Sequence, residues 1–314
     1  MTVMKRLIYI ILLLIIAGSS GSCDKNDPFK DTVEMPKAPE FDLSDPIDVK
    51  RKQMYDTYGK VFKHEFPLSE FTYNWSGELT YDATWMCCYA YTPAKPQYVI
   101  PVIDSIDNWV LKLFPTEFIK TYLPINILLT DSIGNGGQDW SWYWDEDIQD
   151  YVDVYTPVPQ LYDGFISTNY SLFGHVSSRF EDLKNSRELK QSWLSLAIEK
   201  MLDGKLPQPT AFVAISEVGY RQYNYPNNAD VITLYGILKT GRTKRTGPGA
   251  SYPFSKTTPA QDFGDFVAFI VYTPEAEKQS YYAKNSKVEE KVNLVKEYFL
   301  DNFNITLPYK PVEP

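Results

Sequence analysis

Histidine is nearly missing from this chain: 314 residues contain two, His64 and His175. Neither stands in an HExxH motif. His64-Glu65 is followed by Phe66-Pro67 and then Leu68, and no histidine follows His175. A catalytic zinc takes three protein ligands, commonly imidazoles, so this scarcity weighs against the usual zinc chemistry. Cysteine is as sparse, with Cys23, Cys87 and Cys88, which excludes a disulfide framework and a cysteine-based zinc knuckle. Adjacent cysteines rarely bridge each other, because a disulfide wants Cα atoms about 5.5 Å apart. The segment MCCYAY therefore reads as a strand with buried thiols. Basic charge is also short, 31 Lys and Arg against 40 Asp and Glu for a net −9. Nucleic acid is argued against, since phosphate binding needs a basic footprint. No GxSxG element supports acyl transfer. The basic, glycine-rich stretch GRTKRTGPG (residues 241–249) lacks the order of a phosphate-binding loop and reads as surface. Paired carboxylates for glycoside hydrolysis stay open, but nothing singles out a pair.

Long apolar runs are missing too, with one exception at the start. Leu7 to Ala17 reads LIYIILLLIIA after Lys5 and Arg6. It is too short for a bilayer-spanning helix, which needs about 20 residues, and fits the apolar region of a secretory signal. Small residues 18–22 follow, then Cys23. This resembles a lipobox, in which the thiol is diacylated and becomes the new N-terminus, although Ser20 stands where a strict one has an apolar residue. An ordinary signal peptide with an incidental cysteine is the plainer reading. The expected organisation is a signal peptide over 1–22, a lipidated tether over 23–46 with Pro28, Pro36, Pro39 and Pro46 among acids, and one domain over 47–314. Its membrane contact is then the lipid alone, each buried methylene contributing about 0.8 kcal/mol.

What remains is globular: 44% apolar and 15% aromatic residues, with 24 tyrosines, suited either to a core or to a surface that binds polar ligands. Helices are expected over Ile47–Lys63, Val99–Phe114 and Thr116–Leu123. Phe71–Trp75 alternates like a strand, and INILLT (125–130) reads as a buried one. Gly134–Gly137 reads as a turn, with strands near 151–156 and 163–169. From about 185 the chain becomes helical. Arg187–Leu202 ends just before Gly204, the residue that enters the left-handed region cheaply. Thr258-Pro259-Ala260-Gln261 starts a helix to Tyr272 with a capping box. Ser286 to Glu289 is a second box, before a stripe of Val288, Val292, Val295, Phe299 and Phe303. The class is α+β, with a small sheet in an N-terminal part (47–184) and a mostly helical C-terminal half (185–314).

Three blocks carry a resemblance: YDTYGKVFKHEFPLSEFTYNW (Tyr55–Trp75), YVIPVIDSIDNWVLKLFPTEFIKTYLPINILLTDS (Tyr98–Ser132), and TPAQDFGDFVAFIVY with the following KVEEKVNLVKEYFLDNFNITLP. In order and spacing, with the lipoprotein start, the chain resembles the zinc metallohydrolase-like lipoproteins of Bacteroidota, encoded beside SusC/SusD-type outer-membrane importers. The resemblance implies a zincin-like metallopeptidase fold. In such enzymes, histidines four apart on one helical face bind Zn²⁺ with a glutamate as base, and an acid on a second helix completes the site. Counting back from Pro209 and Phe212, HExxH falls on Leu196-Ala197-Ile198-Glu199-Lys200. Leu196 and Lys200 replace the histidines and Ala197 the base. Gln261-Asp262-Phe263-Gly264-Asp265 stands where a motif like EDFAE supplies the acid. Leu and Ala cannot ligate, and Lys200 brings a positive charge to the cation's place.

The most unusual stretch is Asp139-Trp140-Ser141-Trp142-Tyr143-Trp144-Asp145. On a strand, Trp140, Trp142 and Trp144 share a face. They make either a stacking platform for a sugar or peptide, or cover for a core beneath a loop. The nearby Asp145, Glu146, Asp147, Asp150 and Asp153 lack the EF-hand order and its glycine, so a solvated acidic loop is favoured over a Ca²⁺ site. The expected function is therefore accessory and without cofactor. A lipid-anchored outer-membrane protein at the cell surface would bind a peptide or glycan, or dock on a SusC/SusD-type importer. The alternative is an active zinc hydrolase with atypical ligands, for example His175 with acids.

Overall fold

In a computed structural model, residues 39–71, 89–167, 169–221, 231–238 and 257–311 are described. The expected signal peptide, Cys23 and the tether as far as residue 38, together with Cys87, Cys88 and residues 72–75 and 241–249, lie outside these residues.

Helix α1 (Pro46–Tyr58) starts where the Asp45 carboxylate accepts from the Ile47 amide and proline takes the first turn. It stops at Gly59, whose φ of 67° is the left-handed state a glycine enters without a Cβ penalty. The helix expected to run to Lys63 therefore ends early, and Val61–Lys63 is strand β1. A single turn, α2 (Leu68–Phe71), stands where a strand was expected to begin. Strand β2 (Tyr89–Pro93) precedes α3 (Pro96–Trp109), a 3₁₀ turn (Leu111–Leu113) and α4 (Thr116–Tyr122).

Strand β3 (Asn126–Asp145) organises the sheet. Its apolar start, with Ile127, Leu128 and Leu129 fully buried, runs parallel to β1 on one side and to β6 (Tyr170–Phe173) on the other. Strand β5 (Gly164–Ile166) adds antiparallel to β6. The rest of β3 leaves this layer. It pairs antiparallel with β2 and, from Gly134 to Asp145, with β4 (Asp150–Leu161). The glycines at 134–137 are thus strand, not turn. Partners on β2 and β4 satisfy backbone groups that an isolated turn would have had to satisfy locally. The reversal comes after Asp145, whose Oδ1 accepts from the Asp147 amide at 2.9 Å, and Gln149 takes a φ of 54°.

After a short α5 (Arg179–Leu183), the second half is helical, as its patterning indicated. It comprises α6 (Arg187–Asp203), α7 (Thr210–Ile215), α8 (Glu217–Arg221), α9 (Val231–Tyr235), α10 (Pro259–Tyr272), α11 (Glu275–Lys284) and α12 (Ser286–Phe303). The class is α+β. Ser186 Oγ caps α6 by accepting from the Leu189 amide at 3.2 Å, and Thr258 caps α10 by accepting from the Gln261 amide at 3.1 Å. For α12 the cap is Asn285 rather than Ser286, its Oδ1 accepting from the Lys287 amide at 2.9 Å. Asparagine is as good a cap as serine, and it lies at the extended residue before the first turn. Gly204 follows α6 at a φ of −96°, outside the left-handed region. Its amide instead donates to the carbonyls of Lys200 and Met201, so chain reversal there does not depend on positive φ.

Helices α6 and α10 are buried along nearly their whole lengths, among them Trp193, Leu194, Ala197, Ile198, Phe263, Phe266 and Val267. The α12 stripe of Val288, Val292, Val295 and Phe299 closes over them. Filling this core contributes roughly 1.5–3 kcal/mol per large apolar side chain.

Candidate functional site

The segments predicted to face each other do meet. A Cβ on Gly264 would collide with the Ser195 backbone carbonyl, so glycine lets α10 approach α6 at this point. Beside it the Ser195 hydroxyl donates to Asp265 Oδ1 at 2.5 Å, and both residues are fully buried.

The remaining positions turn into structure. Leu196 is 2% exposed and Ala197 0%. The Leu196 side chain reaches strand β5, where a Cβ on Gly164 would lie 3.0 Å from its Cδ1. Lys200 is buried except at its end, where Nζ meets Asp203 at 2.9 Å. Gln261 is half-buried in the first turn of α10. This donor set does not fit a zinc ion: two side chains cannot ligate, one is a cation, and the acid is engaged by a serine hydroxyl. Among the described residues no group of three His, Cys, Asp or Glu side chains could hold a metal.

One turn along, α10 and α12 meet in a feature the sequence reading missed. The Lys291 ammonium, fully buried, ion-pairs with Asp262 Oδ2. It also donates to Ser216 Oγ at 2.8 Å, Tyr220 Oη at 3.2 Å and the Gly236 carbonyl at 3.2 Å. Tyr220 Oη donates to the same carboxylate oxygen at 2.5 Å, and Ser216 Oγ donates to the Tyr235 carbonyl at 2.6 Å. Phe212, Phe266 and Tyr220 surround the ammonium, ring centroids 4.4, 4.8 and 5.5 Å away. Burial pulls the lysine below its ordinary range, and the Asp262 charge opposes that pull. The signal was present: Lys291 stands three residues after Val288 on the buried stripe, and Asp262 and Asp265 are the acids in the apolar run from 262 to 272.

His175, the candidate ligand of the zinc alternative, lies elsewhere. It takes a φ of 67°, unusual for a non-glycine residue. Its Nε2 lies 2.8 Å from Asp163 Oδ1, while Trp193 Nε1 donates to the Asp163 carbonyl at 3.0 Å. The histidine named in the zinc alternative thus meets one carboxylate and no second histidine.

The β3–β4 hairpin is of opposite character. Trp142 is 56% exposed, Trp144 42% and Tyr151 58%. Tyr151, which the sequence reading did not single out, packs edge-on against both indoles at centroid separations of 4.7 and 5.0 Å. It does so because β4 pairs Tyr151 directly opposite Trp144. Trp140 lies two residues further down β3, opposite Tyr155; its side chain falls outside the described residues. Asp145, Glu146 and Asp147 lie in or beside the turn, and Asp150 starts the return strand.

No family model matches the chain, and no curated protein matches it. Among solved structures it is similar to a candidate zinc-binding metallo-peptidase from Bacteroides caccae ATCC 43185. The identity is 13% and the TM-score 0.48, over 85% of this chain and 90% of that one.

Proposed function

We propose that this chain is a non-catalytic binding protein on a zincin-like scaffold whose metal site has been replaced by packing. The carrying observation is the α6–α10 contact. Leu196 and Ala197 stand at the ligand and base positions that the family resemblance implies, and both are buried. Lys200, at the second ligand position, pairs with Asp203, and Asp265 accepts from Ser195. Hydrolysis needs a polarised water beside the substrate, and these side chains neither hold a cation nor open to one.

In this reading the first 22 residues are a signal, Cys23 carries the lipid, and the domain stands at the outer-membrane surface. There it serves as an accessory subunit in peptide or glycan import, partnered by a SusC/SusD-type importer. Metal analysis of the purified chain tests the catalytic half of the proposal. The expected result is zinc well below one equivalent and a melting temperature unmoved by EDTA. One zinc per chain, removed by EDTA with loss of stability, overturns it. Metabolic labelling with a radioactive fatty acid tests the anchor: label is expected on the native chain and lost in Cys23→Ser, and an unlabelled native chain overturns it.

A further inference from the structure

We propose that the tip of the β3–β4 hairpin is a docking surface for a cationic peptide segment. Two independent properties of the tip converge on that chemistry.

The first is aromatic. Trp142, Trp144 and Tyr151 are exposed yet already fixed against one another by edge-to-face contacts. Such a cluster offers π surface to a partner at small cost in conformational freedom, since the rings are held before binding. Ile148 at the turn, 62% exposed, extends the apolar area.

The second is charge. Asp145, Glu146, Asp147 and Asp150 lie within six consecutive residues, and among the described residues the bonds to their carboxylates come from within the hairpin. Asp145 accepts from the Asp147 amide, Glu146 Oε2 from Gln149 Nε2 at 3.3 Å, and Asp150 Oδ1 from the Tyr151 amide at 2.7 Å. Among the described residues none of the four pairs with a lysine or arginine. The sequence explains why: between Lys120 and Arg179 there is no lysine or arginine at all, against eight acids. Elsewhere the chain answers its acids, as with Asp48 by Arg51, Glu70 by Lys63 and Glu277 by Arg187.

Anionic partners, whether nucleic acid or acidic lipid, are repelled from this tip. A neutral glycan would stack on the rings and donate hydroxyls to the carboxylates, but it would leave their negative charge uncompensated. A strand bearing lysine or arginine that wraps the end of the hairpin uses both, through cation–π contacts on the Trp142–Trp144–Tyr151 face and ion pairs to Glu146 and Asp147 at the turn and to Asp145 and Asp150, whose paired positions lie on the other face. This proposal rests on reading the chain as a binding protein. The zinc measurement and the one below separate the two, because each can fail while the other stands.

The probe is a decapeptide of alternating arginine and glycine, titrated into the full chain in a zwitterionic detergent and followed by calorimetry. Saturable binding is expected, weakening steeply with added salt. The W142A/W144A/Y151A variant should raise the dissociation constant about tenfold or more, with its circular dichroism unchanged. D145N/E146Q/D147N/D150N should do the same and abolish the salt dependence. Asparagine at 145 keeps an oxygen for the turn amide, so this variant retains the hairpin. A glutamate–glycine decapeptide and a neutral β-glucan oligosaccharide should not bind. No saturable binding of the arginine peptide, equal binding by both variants, or saturable binding of the oligosaccharide in its place overturns the proposal.

Discussion

The helical half and the hairpin tip treat charge in opposite ways. Around α10 and α12 a full ammonium is taken out of water, and Asp262, Tyr220, Ser216 and a backbone carbonyl answer it on every side. At the tip, Glu146, Asp147 and Asp150 are exposed and Asp145 is half-buried, beside exposed indoles. Desolvated charge is tolerated only when paired and hydrogen-bonded, whereas solvated charge is free to meet a partner. The difference separates residues that hold the scaffold from those left available to act.

The comparison breaks first at Lys291. Lys291→Met leaves Asp262 buried without a counter-ion and should cost about 3–5 kcal/mol of unfolding free energy, measured by urea denaturation. Lys291→Met with Asp262→Leu should recover much of that loss, since an apolar pair of similar volume carries no uncompensated charge. A loss below about 1 kcal/mol in the single variant would mean that the pair is not desolvated in solution.

Next comes Gly264→Ala, which drives a methyl into the Ser195 backbone carbonyl. Denaturation should show a loss of about 1–3 kcal/mol, the range for overpacking a helix contact. A neutral result would place α6 and α10 farther apart than described.

Lys60 is the intermediate case, a buried ammonium answered, among the described residues, by the Lys120 and Leu123 carbonyls at 3.1 and 2.7 Å. Burial, with the nearby Lys205 charge, lowers it to about 8. Between pH 8 and the unfolded lysine's 10.5, the folded chain has shed this proton while the unfolded chain keeps it. The unfolded state then binds more protons, so stability rises with pH, by on the order of 1 kcal/mol. Buried Tyr58, Tyr272 and Tyr298 have raised values. Stability should therefore fall again as pH passes 10, where tyrosines of the unfolded chain ionise. Denaturation across pH 7.5–11 should show the rise and the turnover, and Lys60→Met should flatten the rise.

The smallest stability effect belongs to the tip. Replacing Trp142, Trp144 and Tyr151 by alanine should change unfolding by less than about 1 kcal/mol, because water already covers them. A larger loss would make the rings a structural cluster and remove the contrast.

How much of this was legible depended on the range of the interaction. The unbroken apolar run at 125–130, the capping box at Thr258, and the 4, 3, 4, 4 stripe of α12 are local signals, and each specified an element. The glycines at 134–137 misled because their conformation is decided by β2 and β4, partners that sequence spacing does not reveal. Gly59 ended α1 earlier than the apolar pattern did, since a left-handed backbone outweighs periodicity. At the candidate sites, which residues were present could be read directly. That Ser195 and Asp265 would bond, that Lys291 would reach Asp262 across two helices, and that Tyr151 would join Trp142 and Trp144 are long-range pairings, visible only once the chain is folded.

The central claim is the proposal that packing fills the space between α6 and α10, at the positions where a zincin-like enzyme would hold its cation. Anomalous diffraction at the zinc edge, from crystals grown with excess zinc, tests it most directly. The account predicts no anomalous peak beside Leu196, Ala197, Lys200 and Asp265, with Ser195 still bonded to Asp265. A peak there, with those side chains drawn apart around it, would contradict it.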